Sequence, residues 1–216
     1  MAKKKNSKPI VYPVVFMLVL TIVFGGALAG INALTKETIA TQEALRTKEN
    51  VLFVLGIPII TLPGIADIPT ADAIEAAYSA KVTERKVKDI TIFEGKREDG
   101  TIGYAFLING PGLWGSMTGY VGISADLKTI LGMSVMSHSE TPGLGGRIDE
   151  PWFKEQFRNV SISSADASKN TDIVIFKPKV GGNIDAIAGA TLTSEAVRVM
   201  VNEDVANFIA NYGGDL

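Results

Sequence analysis

Residues Ile10 to Leu34 form an unbroken apolar run of 25 residues, in which the phenol of Tyr12 is the only ionisable side chain and Thr21 and Asn32 the only other polar ones. Roughly 20 such residues cross the hydrocarbon of a bilayer as a helix, because a helix satisfies its own backbone in a solvent that cannot. The run therefore predicts one transmembrane helix over residues 10–34. Lys3, Lys4, Lys5 and Lys8 precede it directly. The positive-inside rule then places the N-terminal tail (residues 1–9) in the cytoplasm and everything after Leu34 on the far side of the inner membrane. Lys36, Arg46 and Lys48 weaken that asymmetry, but Glu37, Glu43 and Glu49 accompany them. A cleaved signal peptide is the rival reading, since Ala27-Leu28-Ala29 before Gly30 has the form of a cleavage site; the length of the run favours an uncleaved anchor. Both readings export the body.

The remainder of the chain narrows the chemistry. Residues 1–35 carry four lysines and no acid, whereas residues 36–216 carry 17 basic and 23 acidic side chains. An acidic body lacks the cationic footprint that supplies most nucleic-acid affinity, so no nucleic-acid partner is expected. With no cysteine and a single histidine, the chain offers no disulfide, no iron–sulfur ligation, no thiol nucleophile and no histidine-rich metal site, and no bound metal is expected.

Periodicity and turn residues predict an α+β body of one domain. Thr35 to Leu55 is helix-compatible, with Gly56 as C-cap, and residues 35–70 read as a juxtamembrane helix and linker broken by Pro58, Pro63, Gly64 and Pro69. Residues 71–216 form the domain itself. A short helix is expected over 71–80 with Thr70 as N-cap. Hairpins are expected from Lys88–Phe93 with Thr101–Ile108, and from Thr118–Ile123 with Thr129–Val135. A helix over Trp152–Arg158, strands at Asp172–Phe176 and Ile184–Ile187, and a final helix capped by Thr193 or Ser194 complete the reading. That last helix carries Val197, Val201, Val205, Phe208 and Tyr212 on one face and stops at Gly213-Gly214.

Three glycine-bearing loops concentrate the functional signal. Asp185-Ala186-Ile187-Ala188-Gly189-Ala190-Thr191 precedes Leu192-Thr193-Ser194 and the final helix. Small residues let a ligand approach the backbone, and a helix start offers free N–H groups and a positive dipole end, which together suit an anion. A strand-to-helix turn with a hydroxyl cap explains the same residues. No GxxxxGK[ST] pattern is present, and Gly181-Gly182 does not extend to GxGxxG. The second loop, His138-Ser139-Glu140-Thr141-Pro142-Gly143-Leu144-Gly145-Gly146, holds the lone histidine, which a turn hydrogen bond explains better than a metal. The third, Gly110-Pro111-Gly112-Leu113-Trp114-Gly115, sets an indole between glycines, either as core or as the wall of a planar ligand.

These three loops, in this order, resemble the motifs of the FMN-binding domain family, and the resemblance covers essentially the whole chain, anchor included. Within that family the chain is most similar to the G subunits of the Rnf ion-translocating ferredoxin:NAD oxidoreductase complexes, with the C subunits of the sodium-pumping NADH:quinone reductases as siblings. The resemblance implies covalent FMN, joined by a flavin transferase through its phosphate to Thr191. It implies that Asp185, Gly189 and Ala190 belong to the attachment motif, Asp185 serving the transferase. Thr193 and Ser194 would assist the phosphate, and Leu113, Trp114, Glu140, Thr141, Gly143 and Leu144 would surround the isoalloxazine. Ala188 departs from the serine or threonine common at its position. The implied activity is electron transfer within a membrane complex, with the other subunits of that complex and the lipid membrane as partners and no catalytic acid or base of its own. The alternative of another class is an exported, anchored binding or scaffolding module without covalent flavin.

Overall fold

The computed structural model describes residues 11–59, 69–96, 100, 102–162 and 172–216. The lysine cluster, Pro63, Gly64 and Thr101 lie outside the described residues. A single helix, α1 (Val11–Leu55), takes up the apolar run and the stretch that follows it. Its apolar part is long enough to cross a membrane and none of the spanning window is buried in protein. The chain divides into two compact units, Met1–Ala44 and Leu45–Leu216, so the packed body takes in the last turns of α1, ahead of the boundary at residue 71 drawn from sequence.

Within the body, α2 (Ala71–Lys81) leads into an antiparallel meander of six strands in sequential order, β1 (Val82–Val87), β2 (Ile90–Lys96), β3 (Ile102–Pro111), β4 (Ser116–Ser124), β5 (Thr129–Ser137) and β6 (Val160–Ser161). Between β5 and β6 run a 3-10 helix (Gly145–Asp149) and α3 (Pro151–Glu155), and the chain closes with α4 (Thr191–Tyr212). Thr70 caps α2 as expected, its hydroxyl accepting from the Ala73 N–H.

Both faces of the sheet are covered, because alternate residues of its central strands are apolar in both phases. Ile92, Phe106 and Val121 join the buried face of α4, where Val197, Val201, Val205 and Phe208 lie; the Phe106 and Phe208 rings stack with centroids 3.8 Å apart. The neighbouring positions Phe93, Ala105 and Tyr120 point the other way, into a second cluster with Val51, Leu52, Val54 and Leu55 of α1 and Ile74 and Tyr78 of α2. The end of α1 sits close because Gly122 and Gly132 are paired across β4 and β5; a Cβ on Gly122 would lie 2.3 Å from the Val54 carbonyl oxygen. Gly56, at φ 67, then terminates α1 with Ile57 N–H donating to Leu52 O at 2.9 Å and Gly56 N–H to Phe53 O at 3.0 Å.

Four sequence expectations differ from the structure. Strand β1, with the sequence VTERKV, was not anticipated; it is a charged edge strand without a buried face, and charge on an edge masks the apolar alternation that marks a strand. The segment 172–176 is no strand, and it meets Ile184 only in one parallel bridge from Phe176. Side-chain amides replace the ladder: Asn202 brackets the Val174 N–H and carbonyl at 2.7 and 3.1 Å, and Asn183 accepts from Ile175 N–H and donates to Ile173 O. Residues 184–187 likewise form no strand, because the Asp185 N–H donates to Gln156 Oε1 and the Ile187 N–H to Ser194 Oγ. Finally, Thr193 and Ser194 do not cap the last helix. The helix begins at Thr191, and its cap position is Ala190, three residues before Thr193, with no side chain capping it.

Candidate functional site

The three glycine loops come together at the start of α4. A cavity of about 370 Å³ opens there, lined by Leu113 and Trp114 from the β3–β4 turn, Glu140, Thr141, Leu144 and Gly145 from the loop after β5, and Gly189 to Thr193 from the loop into α4. Each contribution follows from local sequence. Gly112 and Gly115 close the β3–β4 hairpin with a 2.7 Å backbone hydrogen bond, which leaves the two middle residues of the turn without ladder partners. Gly189 takes φ +78, a left-handed conformation that favours glycine, and turns the chain into the helix.

The hydroxyls at this helix start have different fates. Ser194 is fully buried, its Oγ accepting from Ile187 N–H at 3.0 Å and donating to Ala190 O at 3.0 Å. Thr193 is 1% exposed, and its Oγ1 donates to Glu140 Oε2 at 2.6 Å. Thr191 is exposed on the cavity, and among the described residues its hydroxyl has no hydrogen-bond partner.

Glu140 is the buried charge of the site. Its Oε1 accepts from Leu113 N–H at 2.7 Å and Trp114 N–H at 3.3 Å, while Oε2 takes the Thr193 hydroxyl. Burial alone raises a carboxyl pKa, but the Thr193 hydroxyl and the Trp114 and Leu113 amides outweigh it, so Glu140 titrates below its ordinary range and is ionised at neutral pH. His138 is part of a turn: its Nδ1 accepts the Glu140 N–H at 3.0 Å, and its Nε2 meets Asp149 Oδ2 at 2.9 Å. Accepting at Nδ1 leaves the neutral ring's proton on Nε2, facing Asp149.

Trp114 is 68% exposed, so the core reading of this indole fails. With Leu113, Leu144 and Leu192, exposed by 48%, 48% and 66%, it gives the cavity an apolar rim. Asp185 and Gly143 are not brought to the cavity. Asp185 is exposed and pairs with Lys177 at 3.2 Å, its backbone N–H held by Gln156; Gly143 serves the turn at φ +75. Gly145 and Leu192 line the cavity without having been singled out as ligand residues, although Gly145 lies inside a quoted motif and Leu192 directly after one.

The FMN-binding domain model matches residues 112–206, a span that takes in all the cavity-lining residues. The G subunit of the ion-translocating oxidoreductase complex of Methanosarcina acetivorans is 31% identical over 193 residues, covering 89% of this chain and 90% of that protein. The chain belongs to the FMN-binding domain family. Another relative within it is the C subunit of the Na(+)-translocating NADH-quinone reductase of Pseudomonas aeruginosa, 32% identical but over 63% of this chain and 54% of that one. The crystal structure of the corresponding C subunit from Parabacteroides distasonis has the same fold, with a TM-score of 0.65 over 81% of this chain and 94% of that one at 22% identity. For a family member, the chemistry of the donor set fits the group named by the family: a free hydroxyl and an uncapped helix start suit a phosphate, and an apolar rim suits a planar ring.

Proposed function

We propose that this chain is the FMN-carrying electron-transfer subunit of a membrane-bound ion-translocating ferredoxin:NAD oxidoreductase, with the flavin esterified through its phosphate to Thr191. The observation that carries the attachment is the state of the hydroxyls: Thr193 and Ser194 are committed to the protein, and Thr191 is exposed and unengaged at the helix start. The bound flavin supplies the redox chemistry. The chain's own residues place it. The first turn of α4 would offer its N–H groups and dipole to the phosphate, Leu144 and Leu192 would shield the ring along the rim, and Trp114 would offer an aromatic face for stacking. No side chain acts as acid or base on a separate substrate. The higher identity to a G subunit, 31% against 27% for a quinone-reductase C subunit matched over a similar share of both chains, favours the former complex. The other subunits of such a complex are the partners, and a flavin transferase matures the site, reading Asp185 at the exposed head of the motif.

Coexpression with a flavin transferase in an exporting host tests the attachment. The parent chain is expected to gain the mass of one FMN less one water, which Thr191→Val, a near-isosteric change that removes the hydroxyl, abolishes. Thr193→Val and Ser194→Ala are expected to keep the increment. Covalent flavin persisting in Thr191→Val and mapped to another hydroxyl overturns the assignment. A parent that stays free of flavin despite active transferase and proven export favours a docking module instead.

A further inference from the structure

We propose that Glu140 is the positioning residue of this site: its buried carboxylate clasps the tip of the β3–β4 hairpin to the first turn of α4, and so keeps the Trp114 wall in register with the Thr191 hydroxyl. The inference rests on the reading of Thr191 as flavin carrier. The sequence placed Glu140 among the groups around the flavin ring, yet both its carboxylate oxygens are taken by protein donors from two other elements.

The surroundings are shaped for that clasp. The two middle amides of the Gly112–Gly115 turn have no ladder to join, so a carboxylate is the acceptor that satisfies both. Glycine at 112 and 145 makes room for it: a Cβ on Gly112 would lie 2.6 Å from Oε1, and one on Gly145 would lie 2.7 Å from Oε2 and 2.5 Å from Thr193 Oγ1. The backbone of Glu140 is itself fixed by the hydrogen bond of its N–H to His138, which Asp149 of the 3-10 helix orients from the far side. Two other segments therefore converge on one side chain, whose backbone the His138 turn holds in place. Among the described residues the loop carrying Trp114 makes no direct hydrogen bond to α4; the hairpin's own bond to that helix lies further down, from Asn109 N–H to Asp204 Oδ2 at 2.7 Å.

The test uses the full-length chain in its membrane, with amide hydrogen exchange as a readout that needs no flavin. Glu140→Ala is expected to speed exchange at Leu113 and Trp114 by roughly ten-fold or more while Val121 and Val201 in the core keep their protection. Glu140→Gln is expected to restore protection to within a few-fold, because its carbonyl accepts the two amides and its NH₂ donates to Thr193 Oγ1. In flavin-loaded protein, Glu140→Ala is expected to keep the mass increment on Thr191 but change the visible circular dichroism of the flavin, and Glu140→Gln to return it toward the parent's. Unchanged exchange at 113 and 114 in Glu140→Ala, or no rescue by Gln, overturns the proposal. If Glu140→Ala does not fold, Thr193→Val decides: it cuts the link to α4 alone, and an unaltered flavin dichroism there overturns the clasp. A parent without flavin defeats the attachment, and the exchange data then judge the clasp independently.

Discussion

At Glu140 three protein donors converge on one carboxylate, and its ionisation is thereby linked to folding. The folded pKa lies below the ordinary 4.5, so the folded state binds the proton less readily than the unfolded chain. The stability this contributes is fully present above about pH 4.5 and is lost as the pH falls through the folded value. Hydrogen bonds to a charged acceptor exceed neutral ones by about 1 kcal/mol, and burying a neutral amide in place of a carboxylate offsets part of that, so Glu140→Gln is expected to cost no more than about 1 kcal/mol at pH 7, in keeping with its expected near-complete exchange protection. Urea midpoints measured from pH 7 to pH 3 should show that gap closing on the acid side; a gap independent of pH means the carboxylate is not ionised in the fold. The adjoining glycine gives a steric counterpart. Gly145→Ala puts a methyl against Thr193 Oγ1 and Glu140, and about 1–3 kcal/mol of destabilisation is expected. At this scale the sequence was informative about which loops matter and uninformative about direction. Nothing in the string Glu140-Thr141 says that the carboxylate turns inward, since its partners Leu113, Trp114 and Thr193 lie 26 to 53 positions away in the chain.

Elements with a buried face were legible, and those held by side chains were not. The stripe from Val197 to Phe208 marks α4 because a helix covering a sheet must bury one face. Residues 172–176 have the composition of a strand and are buried at Ile173 and Val174, yet Asn183 and Asn202 satisfy their backbone in place of a neighbour, a choice made by residues far along the chain. The cradle for the end of α1 is of the same kind. Gly122 reads as a strand weakness until Val54 is seen against it. Gly122→Ala meets backbone atoms that cannot swing aside, and a loss of about 1–3 kcal/mol is expected, read as a lower urea midpoint with unchanged slope. Retained stability in that variant means that α1 shifts at little cost.

For the molecule as a whole, the lysine cluster ahead of one apolar span predicts a cytoplasmic N-terminus and an exported body. Protease added outside intact cells, or to spheroplasts where an outer membrane exists, is expected to digest the body. Protection of residues beyond Thr35 in cells shown to be accessible reverses the orientation. The same topology bears on the proposed maturation: an exported body is expected to receive its flavin from a transferase on that side. In-gel fluorescence after denaturation, absent when export is blocked, is the expected result; fluorescent, unexported chain contradicts it.

By itself the sequence determined the apolar span, the α+β class and the three loops that build the cavity, because each rests on residues close together: an uninterrupted apolar run, a repeating period, a glycine cluster. Only the tertiary structure decided which of three neighbouring hydroxyls is free. Thr191, Thr193 and Ser194 are chemically alike and almost adjacent, and what separates them is Glu140 bound to one and the Ile187 and Ala190 backbone bound to another. Hydrogen bonds of that kind are set by where the chain returns in space, and local pattern carries no record of it.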